Sequence, residues 1–271
     1  MIEIISVANQ KGGVGKTTTA VNLAASLAIA DKKVLLIDAD PQANATSSLG
    51  FYKNDYEYNL YHVLIGSKNI NDVILNTNLP TLDLIPSNIG LVGIEREFDY
   101  LEDKELILRK RIKDLNINYD YIIIDTPPTL GLITINALNA SDSVIIPIQT
   151  EFFALEGLAQ LMKTIKLLQH TTNPKLQIKG LLPTMYSSKN NLSKQVLADI
   201  IRHFREKLFI DKEGNFLVIP RNVRLAEAPS FGKPILLYDI KSKGAVAYEM
   251  LAKKILESAE WKGLVEDLEL F

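Results

Sequence analysis

The 271-residue sequence contains no cysteine. Disulfide bonds are therefore impossible, which fits a reducing compartment such as the cytosol without proving it. The sequence also lacks an uninterrupted apolar run long enough to cross a bilayer. Its residues from Ile2 onward already have the pattern of a buried strand, so we expect neither a membrane span nor a signal peptide.

No segment has the composition of a flexible linker, and no internal repeat is visible. With 47% hydrophobic residues, a chain of this length can bury a full core. The formal net charge of −2 decides little by itself. We therefore predict a single domain over residues 1–271.

Apolar, β-branched runs alternate with helical segments along the chain. Strands are predicted over residues 2–7, 34–38, 82–86, 119–125, 143–148, 178–183 and 217–220. Helices are predicted over residues 21–28, 104–115, 155–168, 191–208 and 245–256, with a short helix and loops in 52–76 and a turn at 212–215. Nearly continuous apolar strands that alternate with helices are typical of a mostly parallel sheet with helices on both faces. Ligands of such folds bind at the carboxyl ends of the strands.

The stretch from Ala8 to Thr19 joins the first predicted strand to a helix. Its glycines allow successive backbone N–H groups to turn toward one anion, and the helix N-terminus adds the positive end of its dipole. Lys16 is suited to neutralise the β- and γ-phosphates of a nucleotide, and the Thr17 hydroxyl to bind Mg²⁺. A glycine-rich turn with a chance lysine is the alternative, but it does not account for Gly-Lys-Thr-Thr in this context. The fold class is therefore an α/β single-domain P-loop NTPase.

The loop departs from the common phosphate-loop pattern at two positions. Gln10 replaces the first glycine, and Lys11 adds a second cation. Lys11 would be repelled by Lys16 unless it points outward or meets another negative group. The pattern resembles the deviant Walker A motif of the ParA/MinD family of P-loop ATPases. In that family the early lysine reaches across a dimer to the phosphates of the partner's ATP.

The resemblance covers nearly the whole chain and is closest to the short ParA/Soj branch. It includes the segments 126–138, 147–158 and 219–234. Larger plasmid ParA proteins carry an N-terminal helix-turn-helix domain, for which the early first strand leaves no room. The resemblance implies that ATP and Mg²⁺ are bound and that the phosphate-loop residues contacting ATP are Lys11, Gly12, Gly13, Val14, Gly15, Lys16, Thr17 and Thr18.

Acidic residues follow two of the predicted strands. Asp125 ends Tyr-Ile-Ile-Ile-Asp and fits a Walker B acid that orients Mg²⁺, although an acid after a strand is usually a cap or turn residue. Asp38 and Asp40 stand in the sequence Asp-Ala-Asp-Pro-Gln, with two solvated turn acids as the alternative. By the resemblance this stretch is switch I: Asp38 supports the metal with Thr17 and Asp125, and Asp40 positions the attacking water. The implied catalytic residues are Lys11, Lys16 and Asp40.

Further contacts are implied by the resemblance alone. Pro220 and Asn222 would line the adenine, with Met185 close by. Glu151 would face the partner's nucleotide across the dimer, together with Lys11.

Positive charge is concentrated late in the chain. Residues 189–254 hold thirteen Lys or Arg against seven Asp or Glu. Clustered cations are typical of a surface that binds phosphate backbones, although an ordinary solvated face has the same composition. The resemblance implies non-specific binding to double-stranded DNA, by phosphate contacts rather than base contacts, because no recognition-helix signature is present. The candidate residues are Lys189, Arg224, Lys233, Lys241, Lys243 and Lys253.

The last twelve residues, 260–271, are relevant to an alternative function in which the protein attaches to a membrane surface. MinD-like relatives end in a basic amphipathic helix that lies on the lipid surface. This segment has an apolar stripe but carries four acids against one lysine, so an anionic membrane would repel it. Trp261 is more suited to packing on the body of the protein.

The sequence thus predicts a partitioning ATPase of the ParA/Soj type, cytoplasmic and associated with the nucleoid. ATP would bring two monomers together, the homodimer would bind DNA, and a ParB-type partner would accelerate hydrolysis, without membrane attachment. Two alternatives stay open: a MinD-like membrane-associated ATPase that positions the division site, and a nucleotide-gated DNA-binding regulator with negligible turnover.

Overall fold

A computed structural model describes residues 2–151 and 156–256. Within them, seven strands form a single sheet: β1 (Glu3–Val7), β2 (Val34–Asp38), β3 (Leu75–Asn76), β4 (Leu82–Ile85), β5 (Tyr121–Asp125), β6 (Ser143–Gln149) and β7 (Gln177–Thr184). The strand order is β3-β4-β2-β5-β1-β6-β7. Every pairing is parallel except that of β3 with β4, so the predicted mostly parallel sheet is confirmed.

The helices lie on both faces of this sheet. They are α1 (Lys16–Ile29), α2 (Asn44–Ser48), α3 (Leu60–Leu64), α4 (Ile94–Glu97), α5 (Ile107–Ile112), α6 (Leu132–Ala140), α7 (Glu156–His170), α8 (Asn191–Phe204), α9 (Val223–Glu227), α10 (Ile235–Tyr238) and α11 (Lys243–Ile255). Short 3₁₀ helices cover Ile70–Val73, Ile89–Gly93, Lys104–Leu106, Arg205–Lys207 and Ala228–Phe231. The described part therefore has the fold of one P-loop NTPase domain.

Alternation along the central strands divides the core into two layers. In β2, Val34 and Leu36 pack into the layer that contains α1 and α11, whereas Leu35 and Ile37 pack into the layer with α3 to α6. Successive side chains of a strand point to opposite faces, so a strand that is apolar at every position must be covered on both. All five residues of β2 are buried.

The sheet register brings the predicted acids to one edge. Val7, the last residue of β1, pairs with Asp125 of β5, and Asp38 of β2 pairs with the same Asp125. The neighbouring parallel strands β2, β5 and β1 thus end side by side, as the sequence predicts, and the phosphate loop leaves from β1.

Two predicted elements are wrong in extent or type. The helix over 104–115 is a 3₁₀ turn followed by the shorter α5, with Leu106 in a non-helical conformation at the junction. The strand over 217–220 does not form. Leu217 N donates to Phe209 O and Ile219 N to Pro183 O, so the segment bonds to two different stretches of chain and builds no ladder. Proline at position 220 also removes a backbone donor.

The other predicted strands and helices form with bounds within about five residues of the prediction, but β3 and α6 were not predicted. Residues 52–76 contain the short helix α3 and a 3₁₀ turn, and residues 212–214 form a turn. No helix in the described ranges is long and apolar enough to cross a membrane. The tail segment 260–271, with Trp261, lies outside the described residues.

Candidate active site

The phosphate loop runs from the end of β1 to the first turn of α1. Gly13 and Gly15 have φ values of +71° and +88°, and Gly15 caps α1 in the left-handed conformation. Glycine adopts these angles without strain, whereas a side chain would disfavour them. The backbone N–H groups at the start of α1 have no side-chain cap, and this is the arrangement in which a helix N-terminus receives an anion.

Lys16 lies inside this loop and is only 6% exposed. Its Nζ donates to the carbonyl oxygen of Lys11 at 3.1 Å, across the loop. Burial lowers the pKa of the Lys16 ammonium, and the nearby charges of Asp125 and Asp40 oppose that shift. The lysine therefore stands where it faces both the loop and the acids.

Asp125 ends β5 and is fully buried. Neither of its carboxylate oxygens has a hydrogen-bond partner in the described part of the chain. Burial raises its pKa well above the usual range, and the charge of Asp38 adds to the rise, while the Thr17 hydroxyl and Lys16 oppose it. The Thr17 hydroxyl is thus near the carboxylate but not within bonding geometry of it. A buried, unpartnered carboxylate beside a hydroxyl is a donor set that fits a hard cation such as Mg²⁺.

The Asp38 carboxylate is also buried, but its oxygens are occupied. Its Oδ2 accepts from the amide and the hydroxyl of Thr46, at 2.8 and 2.7 Å, and its Oδ1 accepts from the Asp40 amide at 3.1 Å. Burial raises the pKa of Asp38 to about 6, although the bonds from Thr46 pull it down. Asp38 therefore lies beside Asp125, and its hydrogen bonds also hold the loop that follows β2.

Asp40 lies two residues beyond the strand and is buried. Its Oδ1 accepts from the Gln42 amide at 2.9 Å, which turns the chain at Pro41. Its charge acts on Lys16 and on both other acids. Lys16, Asp38, Asp40 and Asp125 thus lie close enough together for their charges to act on one another.

A cleft opens on the other side of the loop. It is lined by Gly15, Thr18, Thr184, Met185, Ile219, Pro220, Arg221, Asn222, Leu225, Ala226 and Tyr248. The three residues predicted for the adenine are therefore brought together next to the phosphate loop. Met185 adopts a left-handed conformation with φ +54°, and Pro220 forms a single parallel bridge with Tyr186. The structure thus supplies a largely apolar slot that leads away from the anion site.

Comparison with known proteins decides the family. The AAA domain family model AAA_31 matches residues 2–178. The sporulation initiation inhibitor protein Soj of Bacillus subtilis is 51% identical over 94% of this chain and 98% of its own length. This chain belongs to the ParA/Soj family of chromosome-partitioning ATPases.

Solved structures agree with the ParA/Soj assignment of the fold. A Mycobacterium smegmatis protein named cobyrinic acid a,c-diamide synthase, solved with a bound ATP analogue and magnesium, has a TM-score of 0.82 at 34% identity. It covers 97% of this chain and 99% of its own. A putative plasmid partition protein of Borrelia burgdorferi bound to AMPPNP has a TM-score of 0.77 at 30% identity, covering 96% and 100%. The identity of 34% to this synthase is lower than the 51% identity to Soj.

The residues that ParA/Soj resemblance assigns to the dimer lie at the surface of this chain. Glu151 and Arg221 form an exposed ion pair at 3.4 Å, beside the cleft. Lys11 is half-buried, and its amide donates to Asn9 Oδ1 at 3.0 Å. No described residue forms a hydrogen bond or ion pair with the Lys11 ammonium.

The candidate DNA-binding residues of this ParA/Soj-type chain differ in their surroundings. Lys189, Lys233, Lys241 and Lys243 are exposed. Arg224 is exposed as well, but it pairs with Glu227 at 2.9 Å and with Asp239 at 3.5 Å. Lys253 pairs with Glu249 at 2.8 Å. The six candidates therefore fall into two groups: four exposed lysines, and two cations, Arg224 and Lys253, whose charge is partly neutralised by carboxylates of the same chain.

Two further features could not be identified from the sequence. Tyr248 is buried at the floor of the cleft and shares a hydrogen bond of 3.1 Å with Thr19. Gly50 and Gly232 both have positive φ, and a Cβ on Gly232 would lie 2.5 Å from the Gly50 Cα. The backbones meet there because neither residue has a side chain. This contact joins the end of α2, which follows the Asp38 loop, to the segment that carries Lys233.

Proposed function

We propose that this chain is an ATP-dependent DNA-partitioning switch, in which bound ATP assembles a homodimer that binds DNA non-specifically. The observation that carries the proposal is that the phosphate loop contains two lysines in different surroundings. Lys16 is buried and faces the acids, whereas the Lys11 ammonium has no partner in the described chain. One lysine is thus suited to the nucleotide of its own subunit and the other to a nucleotide outside it.

MgATP is the substrate that the site residues fit. The loop amides and Lys16 would hold the phosphates, and Met185, Pro220 and Asn222 would hold the adenine. Thr17 and Asp125 would hold Mg²⁺, with Asp38 behind them. The metal would neutralise phosphate charge during phosphoryl transfer. The unpartnered oxygens of Asp125 support this assignment, because a buried charge without a partner is costly unless a cation completes the site.

Asp40 is the residue we assign to the attacking water. It is near Lys16 without being bonded to it, and its Oδ1 already accepts from Gln42, which fixes the direction of the carboxylate. A group that orients water toward the γ-phosphate contributes through position rather than covalent chemistry.

Dimer formation would follow from charge. Two triphosphates meeting face to face repel each other, and each Lys11 supplies a cation to the phosphates of the partner's nucleotide. The exposed ion pair of Glu151 with Arg221 lies beside the cleft, where we expect it to contact the second subunit. Loss of the γ-phosphate on hydrolysis would remove the anion that Lys11 holds, so the dimer would separate.

DNA binding would use the basic band at residues 189–254. A dimer presents two such bands, so contacts that are weak in the monomer become avid. Lys189, Lys233, Lys241 and Lys243 are the strongest candidates because they are exposed, while Arg224 and Lys253 would first exchange intramolecular carboxylates for phosphates. We further propose a ParB-type partner that accelerates hydrolysis, and a cytoplasmic, nucleoid-associated location.

A DNA-binding series tests this function. Lys189→Glu and Arg224→Glu should leave ATP-driven dimerisation intact and weaken DNA binding, with the larger effect at Lys189 because Arg224 is already paired. Each lost phosphate contact should flatten the plot of log affinity against log salt by about one unit. The measurement is fluorescence anisotropy with two unrelated duplexes over a salt series, in ATP and in ADP.

Lys175→Glu is the matched control, since Lys175 is exposed at the amino-terminal edge of the sheet, before β7, away from the proposed site. It should behave like wild type. Strong preference for one duplex would instead indicate a sequence-specific regulator, and equal affinity in ATP and ADP would contradict the switch.

A further inference from the structure

A buried network of hydrogen bonds connects Asp38, at the end of β2, with Asp40 in the loop that follows. Thr46 donates to Asp38 through its amide and its hydroxyl. The same Thr46 hydroxyl accepts from the Ser87 amide at 3.1 Å, and the Ser87 hydroxyl donates to the carbonyl oxygen of Asp40 at 2.6 Å. Ser87 O in turn accepts from the Tyr56 hydroxyl at 2.7 Å. Both Thr46 and Ser87 are essentially inaccessible to solvent.

The loop has few other fixed points. Residues 39–43 leave the sheet, so they lack a strand ladder. Ala39 N donates to Asp125 O of β5 at 3.0 Å, and within the loop Ala43 N donates to Asp40 O and Gln42 N to Asp40 Oδ1, both at 2.9 Å. Ala43 adopts a left-handed conformation with φ +53°, which alanine disfavours. Contacts from residues outside the loop must therefore maintain the backbone conformation of residues 39–43, and Thr46 and Ser87 supply such contacts.

The pair is placed to act on Asp40 from both sides. Thr46 holds Asp38, whose Oδ1 accepts from the Asp40 amide, and Ser87 holds the Asp40 carbonyl. The two peptide groups that flank the Asp40 Cα are thereby fixed, one through Asp38 and one directly. These two peptide groups fix the position of the Asp40 Cα, from which the carboxylate extends to its bond with the Gln42 amide.

We propose that Thr46 and Ser87 are positioning residues for ATP hydrolysis, which hold Asp40 in the orientation that directs water to the γ-phosphate. This inference rests on the role proposed above for Asp40. Neither hydroxyl touches the reacting atoms. Their effect should therefore fall on turnover and leave the affinity for ATP unchanged, because the phosphate loop and the adenine cleft are built from other residues and the Thr46 amide still donates to Asp38.

The test compares two substitutions of similar size. Thr46→Val keeps the shape but removes the hydroxyl, and should lower kcat by about 10- to 100-fold, since a misplacement of about 1 Å can cost about 100-fold. Thr46→Ser keeps the hydroxyl and should restore most of the turnover. Ser48→Ala is the control: its hydroxyl is buried on the same helix but donates to Asn44 O, away from the acids, and the variant should keep wild-type turnover.

Turnover is measured as phosphate release at saturating ATP, ATP affinity by titration with a fluorescent ATP analogue, and folding by thermal denaturation. Ser87→Ala provides a second variant if Thr46→Val folds poorly, and the same loss of kcat at unchanged affinity is expected. Wild-type kcat in Thr46→Val or in a folded Ser87→Ala, or equal losses in Thr46→Val and Thr46→Ser, would overturn the inference. If instead Asp40→Asn hydrolyses ATP normally, the role of Asp40 itself fails, and the two failures are thereby distinguished.

Discussion

Lys16→Ala is expected to abolish ATP binding at micromolar nucleotide. The ammonium is the buried cation that faces the phosphate loop, and a triphosphate that enters the loop would lose its charge partner. Removing one member of a buried, hydrogen-bonded charge pair costs about 2–5 kcal/mol. This corresponds to a loss of affinity of about 30-fold or more. Equilibrium titration with a fluorescent ATP analogue and Mg²⁺ measures it directly.

Lys33→Ala is the control for this experiment. Lys33 is exposed and immediately precedes β2, whereas the acids lie at the other end of that strand. Its substitution should leave affinity unchanged, and thermal denaturation should show both variants folded. Wild-type affinity in folded Lys16→Ala would mean that the loop is not the phosphate site.

The second large effect is expected at Asp40. Asp40→Asn should lower kcat by about 100-fold or more, within the range by which positioned acid–base groups accelerate reactions. The amide Oδ1 can still accept from the Gln42 amide, so the loop keeps its turn while the carboxylate charge is lost. ATP binding should persist, because the phosphate loop and Thr17 are unchanged, and the ATP-bound dimer should accumulate. Single-turnover hydrolysis with a parallel binding titration separates these effects.

Asp40→Ala completes the comparison at this position. It removes both the charge and the bond to Gln42, so it should be at least as slow as Asp40→Asn. If Asp40→Asn is active and Asp40→Ala is not, the residue serves only to shape the loop. That result would remove Asp40 from the water-directing role and leave the nucleotide site otherwise intact.

Much of the site could be predicted because its parts are contiguous in sequence or lie at strand ends. The loop from Lys11 to Thr18 is one stretch, and its strand–loop–helix context predicts its shape. Asp38 and Asp125 each end an apolar strand, and neighbouring parallel strands end at the same edge of the sheet. Their positions at strand ends, together with the ParA/MinD resemblance, therefore predict that these acids lie near Lys16.

The contacts that position these residues could not be predicted in the same way. Ser87 lies 41 residues from Thr46, and Thr19 lies 229 residues from Tyr248. Serine and threonine carry no pattern that indicates a partner at such distance. The predicted strand over 217–220 failed for a related reason. Its apolar residues are buried, but the backbone bonds that decide strand formation depend on which chain lies alongside.

ATP is expected to assemble two copies of this chain through Lys11. Size-exclusion chromatography with light scattering tests this expectation most directly. With Mg²⁺ and an ATP analogue that resists hydrolysis, the wild type should elute as a dimer and with ADP as a monomer. Lys11→Ala should bind the analogue with wild-type affinity and stay monomeric. A Lys11→Ala protein that dimerises normally, or that loses nucleotide affinity as a monomer, would contradict the claim.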